Sequence, residues 1–136
     1  FYGGNNNDTV TGAVRVEAAF WGGSGNDYSL RVYDDGVFYG GPGMDGTGFL
    51  TGDGVFWGEE GADYAGRVLD DAVFYGGNGE DSVVIDMYDN AVFYGGNGDD
   101  YVEDMRENTT FMGELGCDEV MTLVAPAVFD QGPGCT

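Results

Sequence analysis

Seven aspartates, Asp8, Asp27, Asp45, Asp63, Asp81, Asp100 and Asp118, recur at every eighteenth or nineteenth position, each closing a glycine-rich stretch. If the segments stack as strands do, the aspartates form a column with rungs about 5 Å apart. Neighbouring charges would then repel by about 1 kcal/mol in water and several times more near a protein surface. Two kinds of chemistry answer that cost. In one, a cation sits between the rungs, and the glycines bring backbone carbonyls close to it. Oxygen donors without nitrogen or free sulfur select a hard cation, Ca²⁺ over zinc or copper. In the other, each carboxylate caps its own turn by hydrogen bonds to the backbone, and solvent ions screen the rest.

Other chemistry is sparse. The 136 residues carry 25 acids against four arginines, a net charge of −21, with no histidine. Histidine bases and His-ligated zinc are therefore excluded. Three serines and no base beside them give no activated nucleophile. Paired acids can imitate a glycosidase site, but acids repeated in every unit belong to architecture, so no enzyme is expected. Four scattered arginines form no footprint for nucleic acid or anionic lipid. No apolar run approaches the length that a membrane-spanning helix needs, so no membrane insertion is expected. With 42% hydrophobic and 15% aromatic residues the chain should be ordered despite its charge. It begins with Phe1 rather than Met, as a processed chain or a fragment would.

The aspartates are held by a repeat. Units start at Phe1, Phe20, Phe38, Phe56, Phe74, Phe93, Phe111 and Phe129 and cover residues 1–136 as one domain. Each unit has two turn signals, the Gly-rich stretch and an Asp/Asn-Gly/Ala corner, with short β-prone segments between them. Two strands and two turns in so short a unit make one coil of an all-β parallel solenoid, here seven coils and a half coil. The Phe column should point inward. Strand alternation then turns the next residue outward, giving a surface ladder of Tyr2, Trp21, Tyr39, Trp57, Tyr75 and Tyr94.

Gly76-Gly-Asn-Gly-Glu-Asp-Ser-Val-Val84 and Gly95-Gly-Asn-Gly-Asp-Asp-Tyr-Val-Glu103 resemble the nonapeptide GGxGxDxUx of RTX calcium-binding repeats. Residues 22–27 and 40–45 fit its first six positions. The resemblance implies a right-handed parallel β-roll with Ca²⁺ between stacked turns. Its ligands would be the seven aspartates and the backbone carbonyls of Gly23, Gly25, Gly41, Gly43, Gly77, Gly79, Gly96 and Gly98. The family repeats its motif in each half coil, whereas here it returns once per coil, so only one edge carries it. Glu59 and Glu114 replace its second glycine, and Asn6 replaces its third.

Cys117 and Cys135 share a column one coil apart, near enough for a disulfide. That bond would tie down the last half coil and implies an oxidising, extracellular setting. Asn7 and Asn108 open Asn-x-Thr sequons at turns and could carry glycans. The sequence thus points to an extracellular, calcium-stabilised structural solenoid that associates with itself, end to end or laterally, as in a filament or surface layer. An alternative is an RTX-like module of a larger secreted protein whose catalytic or adhesive domain lies elsewhere. A third is a carbohydrate-binding module using the aromatic ladder.

Overall fold

A short apolar strand, a glycine turn, a second strand and an acidic corner repeat without interruption, and the computed structural model winds them into a parallel β-solenoid. It describes residues 1–135. Among these there are fifteen strands and no helix. The first strand of each coil joins an eight-stranded parallel sheet: β1 (Tyr2–Gly4), β3 (Ala19–Gly23), β5 (Val37–Pro42), β7 (Val55–Glu60), β9 (Val73–Asn78), β11 (Val92–Asn97), β13 (Thr110–Leu115) and β15 (Val128–Asp130). The second strand joins a seven-stranded one: β2 (Thr9–Val14), β4 (Tyr28–Val32), β6 (Gly46–Leu50), β8 (Tyr64–Val68), β10 (Ser82–Met87), β12 (Tyr101–Met105) and β14 (Glu119–Leu123). Every strand pairs with the same strand of the next coil, so each column of the sequence is also a column in space.

The core lies between the two sheets and consists of stacked like residues. Phe20, Phe38, Phe56, Phe74, Phe93 and Phe111 are fully buried. Their rings are nearly parallel, with centroids 4.6–4.8 Å apart. Facing them are Val14, Val32, Leu50, Val68, Met87 and Met105. Ser29 and Thr47 also point inward, and each donates its hydroxyl to a carbonyl two residues on. At the ends the same columns lose cover: Phe1 is 66% exposed and Leu123 50%.

Two coils are one residue longer than the rest, and both accommodate the extra residue as a bulge in the second sheet. In the first coil the β2–β4 register shifts between Val10 and Ala13. In the fifth, β10 shifts against both neighbours after Val83, leaving Val84 and Ile85 exposed. The Phe column keeps its register across both insertions because the first sheet does not bulge.

Truncating a mid-stack ring removes contacts on two sides at once. Phe74→Ala should cost about 3–5 kcal/mol in chemical denaturation. Tyr75→Ala, on the outer face, should cost clearly less.

Candidate functional site

The aspartate column lies inside the tube. Asp27, Asp45, Asp63, Asp81, Asp100 and Asp118 are no more than 3% exposed, and only Asp8, at the end, is half-buried. The repeat places these carboxylates in one column, and the structure adds that the column is withdrawn from solvent. The turn folds each carboxyl back against the third residue of its own coil, and that residue is always glycine. A Cβ at Gly3, Gly22, Gly40, Gly58, Gly76, Gly95 or Gly113 would overlap the carboxylate of the aspartate five residues on. Close approach alone accounts for the glycine at this position in every full coil.

Each carboxylate has two unlike oxygens. From Asp27 to Asp118, Oδ1 accepts a hydrogen bond from the backbone N–H of the aspartate one coil back. Asp8 donates to Asp27, Asp27 to Asp45, Asp45 to Asp63, Asp63 to Asp81, Asp81 to Asp100 and Asp100 to Asp118, at 2.7–2.9 Å. Oδ2 is buried without a hydrogen-bond partner in all seven aspartates. A buried, half-satisfied carboxylate is costly to ionise. Burial accordingly raises the pKa of Asp81 to about 6, of Asp45 and Asp100 to about 7, and of Asp63 to about 8, against the opposing N–H bond. Neighbouring acids, Glu59 among them, push Asp45 and Asp63 further the same way. Asp27 and Asp118 are also raised, chiefly by burial.

The unpartnered Oδ2 column is a row of hard donors and suits a hard cation. The turn carbonyls are placed differently. Those of Gly23, Gly25, Gly43, Gly77, Gly79 and Gly98 lie against the α-carbon of the glycine one coil on, where a Cβ would overlap them. Gly41 and Gly96 pair instead with Glu59 and Glu114. Among the described residues no three His, Cys, Asp or Glu side chains converge on a common point. The carboxylates therefore fit a bound cation, while these six carbonyls are already in close contact with the next coil.

The remaining candidates fall on the surface. Cys117 and Cys135 form a disulfide, with Cα atoms 4.5 Å apart. Thr136, in the half coil it was expected to tie down, lies outside the described residues. Asn7 and Asn108 are exposed, and Asn7 accepts a bond from the Asn26 N–H. The aromatic ladder stands on the outer face of the first sheet, with Trp21 40% and Trp57 38% exposed. Its rings stack on one another, at 3.9 Å for Trp21–Tyr39 and for Trp57–Tyr75. They form two stacks, Tyr2–Trp21–Tyr39 and Trp57–Tyr75–Tyr94, in which the faces of the middle rings are covered by their neighbours.

At the opposite corner Asp34, Asp70, Asp89 and Glu107 adopt left-handed backbone, φ +53° to +62°, at the first central position of each turn. Asp70 and Asp89 accept bonds from the backbone of the coil before, as the inner aspartates do. The sequence places acids at this corner, but not their bonding into a second, exposed column. Asp86, 8% exposed beside Arg67 at 3.4 Å, was missed altogether, because a bulge places it.

No family model, curated protein or solved structure matches the chain.

Two expectations follow from the ladder. Its raised pKa values mean that the folded state holds protons which the unfolded chain releases near 3.8. In chelator, stability should be greatest below pH 4 as far as these groups decide it. It should fall progressively as pH rises through 6 to 8, read as melting temperature against pH. Asp63→Asn keeps an acceptor for the Asp45 N–H and removes the charge. At pH 8 in chelator it should gain on the order of 1 kcal/mol over the parent chain.

Proposed function

We propose that the chain is a structural rod that works outside the cell, with calcium as the counter-ion of its internal aspartate column. The observation that supports this is the unbroken run of buried Oδ2 atoms without partners. Such a column is unfavourable when ionised and bare. A divalent ion held by Asp8, Asp27, Asp45, Asp63, Asp81, Asp100 and Asp118 would offset both the desolvation and the mutual repulsion. When bound, calcium supplies charge neutralisation and coordination across coils. The residues do the rest by fixing each carboxylate against a glycine and, along most of the column, one N–H. The RTX-like motifs at residues 76–84 and 95–103 favour the same ion, and a place in a longer secreted protein is the second reading.

Self-association belongs to the same proposal. Every Phe is buried by a coil on each side, except where a coil is the last. On the open side of the first coil Phe1, Val10, Val14, Ala18 and Phe20 line an apolar trough of about 440 Å³. A further coil would fill it, supplied by a second copy or by preceding chain. The disulfide and the exposed sequon residues Asn7 and Asn108 agree with an oxidising, glycan-bearing compartment.

The test is a thermal melt by circular dichroism at pH 7.5, in calcium and in EDTA. Calcium should raise the melting temperature and flatten its dependence on pH, and Asp63→Asn should lose part of that gain. Identical melts in calcium and chelator would remove the ion and leave a plain β-rod.

A further inference from the structure

The column two residues beyond the aromatic ladder lies on the same outer face. It is glycine at Gly23, Gly41, Gly77 and Gly96, and glutamate at Glu59 and Glu114. The backbone here is left-handed, with φ between +103° and +111° at those glycines, and both glutamates adopt it at +82° and +73°. Residues with a Cβ disfavour that conformation. The two glutamates are therefore held where glycine would be easier, and both are exposed. No arginine competes for them. Arg31 and Arg67 lie in the second sheet, Arg15 and Arg106 directly follow its strands, and the ion pairs are Arg67–Asp86 and Arg106–Asp104.

The glutamates bracket a trough of about 300 Å³. Glu59, Gly77, Gly96 and Glu114 are successive partners in one ladder. The two carboxylates are thus three coil steps apart, about 14 Å. Between them the floor is the backbone of Gly76, Gly77 and Gly96, with Asn78 and Asn97, bonded to each other, also in the lining. Trp57, Tyr75 and Tyr94 line one side, stacked at 3.9 and 5.0 Å. Stacking turns ring edges toward the trough, an apolar surface rather than an open π-face. The site therefore offers an anion at each end and a smooth, partly apolar channel in between, on a chain of net charge −21 that draws cations to its surface.

We propose that this trough binds a linear diamine or polyamine laid along the rod, one ammonium at Glu59 and another at Glu114, with its methylenes on the glycine floor beside the rings. Charge complementarity selects the ammonium ends, and the spacing of the glutamates selects the length. Gly77 and Gly96 keep the floor bare, since a Cβ at either would overlap the backbone carbonyl of the coil before. Glu59 also acts on the charge of Asp45 and Asp63 in the inner column, so calcium is held fixed in the test, and Glu114→Gln is the variant that reads the trough apart from that column.

The experiment is calorimetric titration of the whole chain, at fixed calcium and low salt, with α,ω-diaminoalkanes of increasing length and with spermine. Affinity should pass through an optimum where the ammonium groups span about 14 Å. Glu59→Gln or Glu114→Gln should each weaken the optimal ligand about fivefold and flatten the length dependence. Glu80→Gln, an exposed acid outside the trough, should not. Glu59→Gly and Glu114→Gly restore the usual residue of the column, so they should fold at least as well as the parent and bind no better than the Gln variants. Affinity that tracks ligand charge alone and falls equally in Glu80→Gln would overturn the site in favour of diffuse attraction. Binding of neutral oligosaccharides in place of amines, or of nothing, would overturn it as well.

Discussion

Each residue in this rod stands about 5 Å from its counterpart in the next coil. Parallel strands in register impose that spacing, and a repeat this regular cannot avoid it. For apolar columns the consequence is favourable, because identical shapes nest. The six buried phenylalanines form one continuous stack, and the facing Val, Leu and Met column fills the remaining width. For charged columns the same spacing is a penalty. The aspartates meet it with one N–H per rung and withdrawal from water, at the cost of one unsatisfied oxygen each. The raised pKa values of the column follow from that arrangement.

The spacing also explains the glycines, which serve two separate needs. At the third position of each coil, glycine makes room for the carboxylate folded over it. At the sixth, φ near +136° to +155° and the carbonyl of the coil before leave no space for a Cβ. At the fourth position a Cβ on Gly23, Gly41, Gly77 or Gly96 would likewise overlap the carbonyl of the coil before, yet Glu59 and Glu114 stand there, with φ of +82° and +73° and exposed side chains. One glycine-rich motif thus contains an inner packing requirement and an outer surface that can vary.

Charge is sorted by the same geometry. Most acids occupy an inner column, the exposed corner or the two positions beside the aromatic ladder, and others, such as Glu80 and Asp99, flank the glycine turn. The four arginines stay on the side of the second sheet. The first sheet's outer face therefore has no positive side chain, and its aromatic row runs between a half-buried valine column, Val37, Val55, Val73 and Val92, and the column of glycine and glutamate.

Much of this was legible in the sequence. The Phe spacing determined coil length, coil number and the inward column, because a period that long allows only stacked coils. Cys117 and Cys135 could be paired for the same reason. Even the two bulges were signalled by the two longer units, although nothing in the sequence said which strand would absorb them. What only the tertiary structure decided was direction. Alternation tells inside from outside along an extended strand, and it worked for Phe74 and Tyr75. It fails at Asp81, which follows a turn whose left-handed glycines reset the alternation and fold the carboxylate inward. Asp86 eludes it for a related reason, since a bulge intervenes. Periodicity alone determined which residues are neighbours. Whether a neighbour faces water, a backbone N–H or the core depended on turn geometry, which arises only when one coil closes on the next.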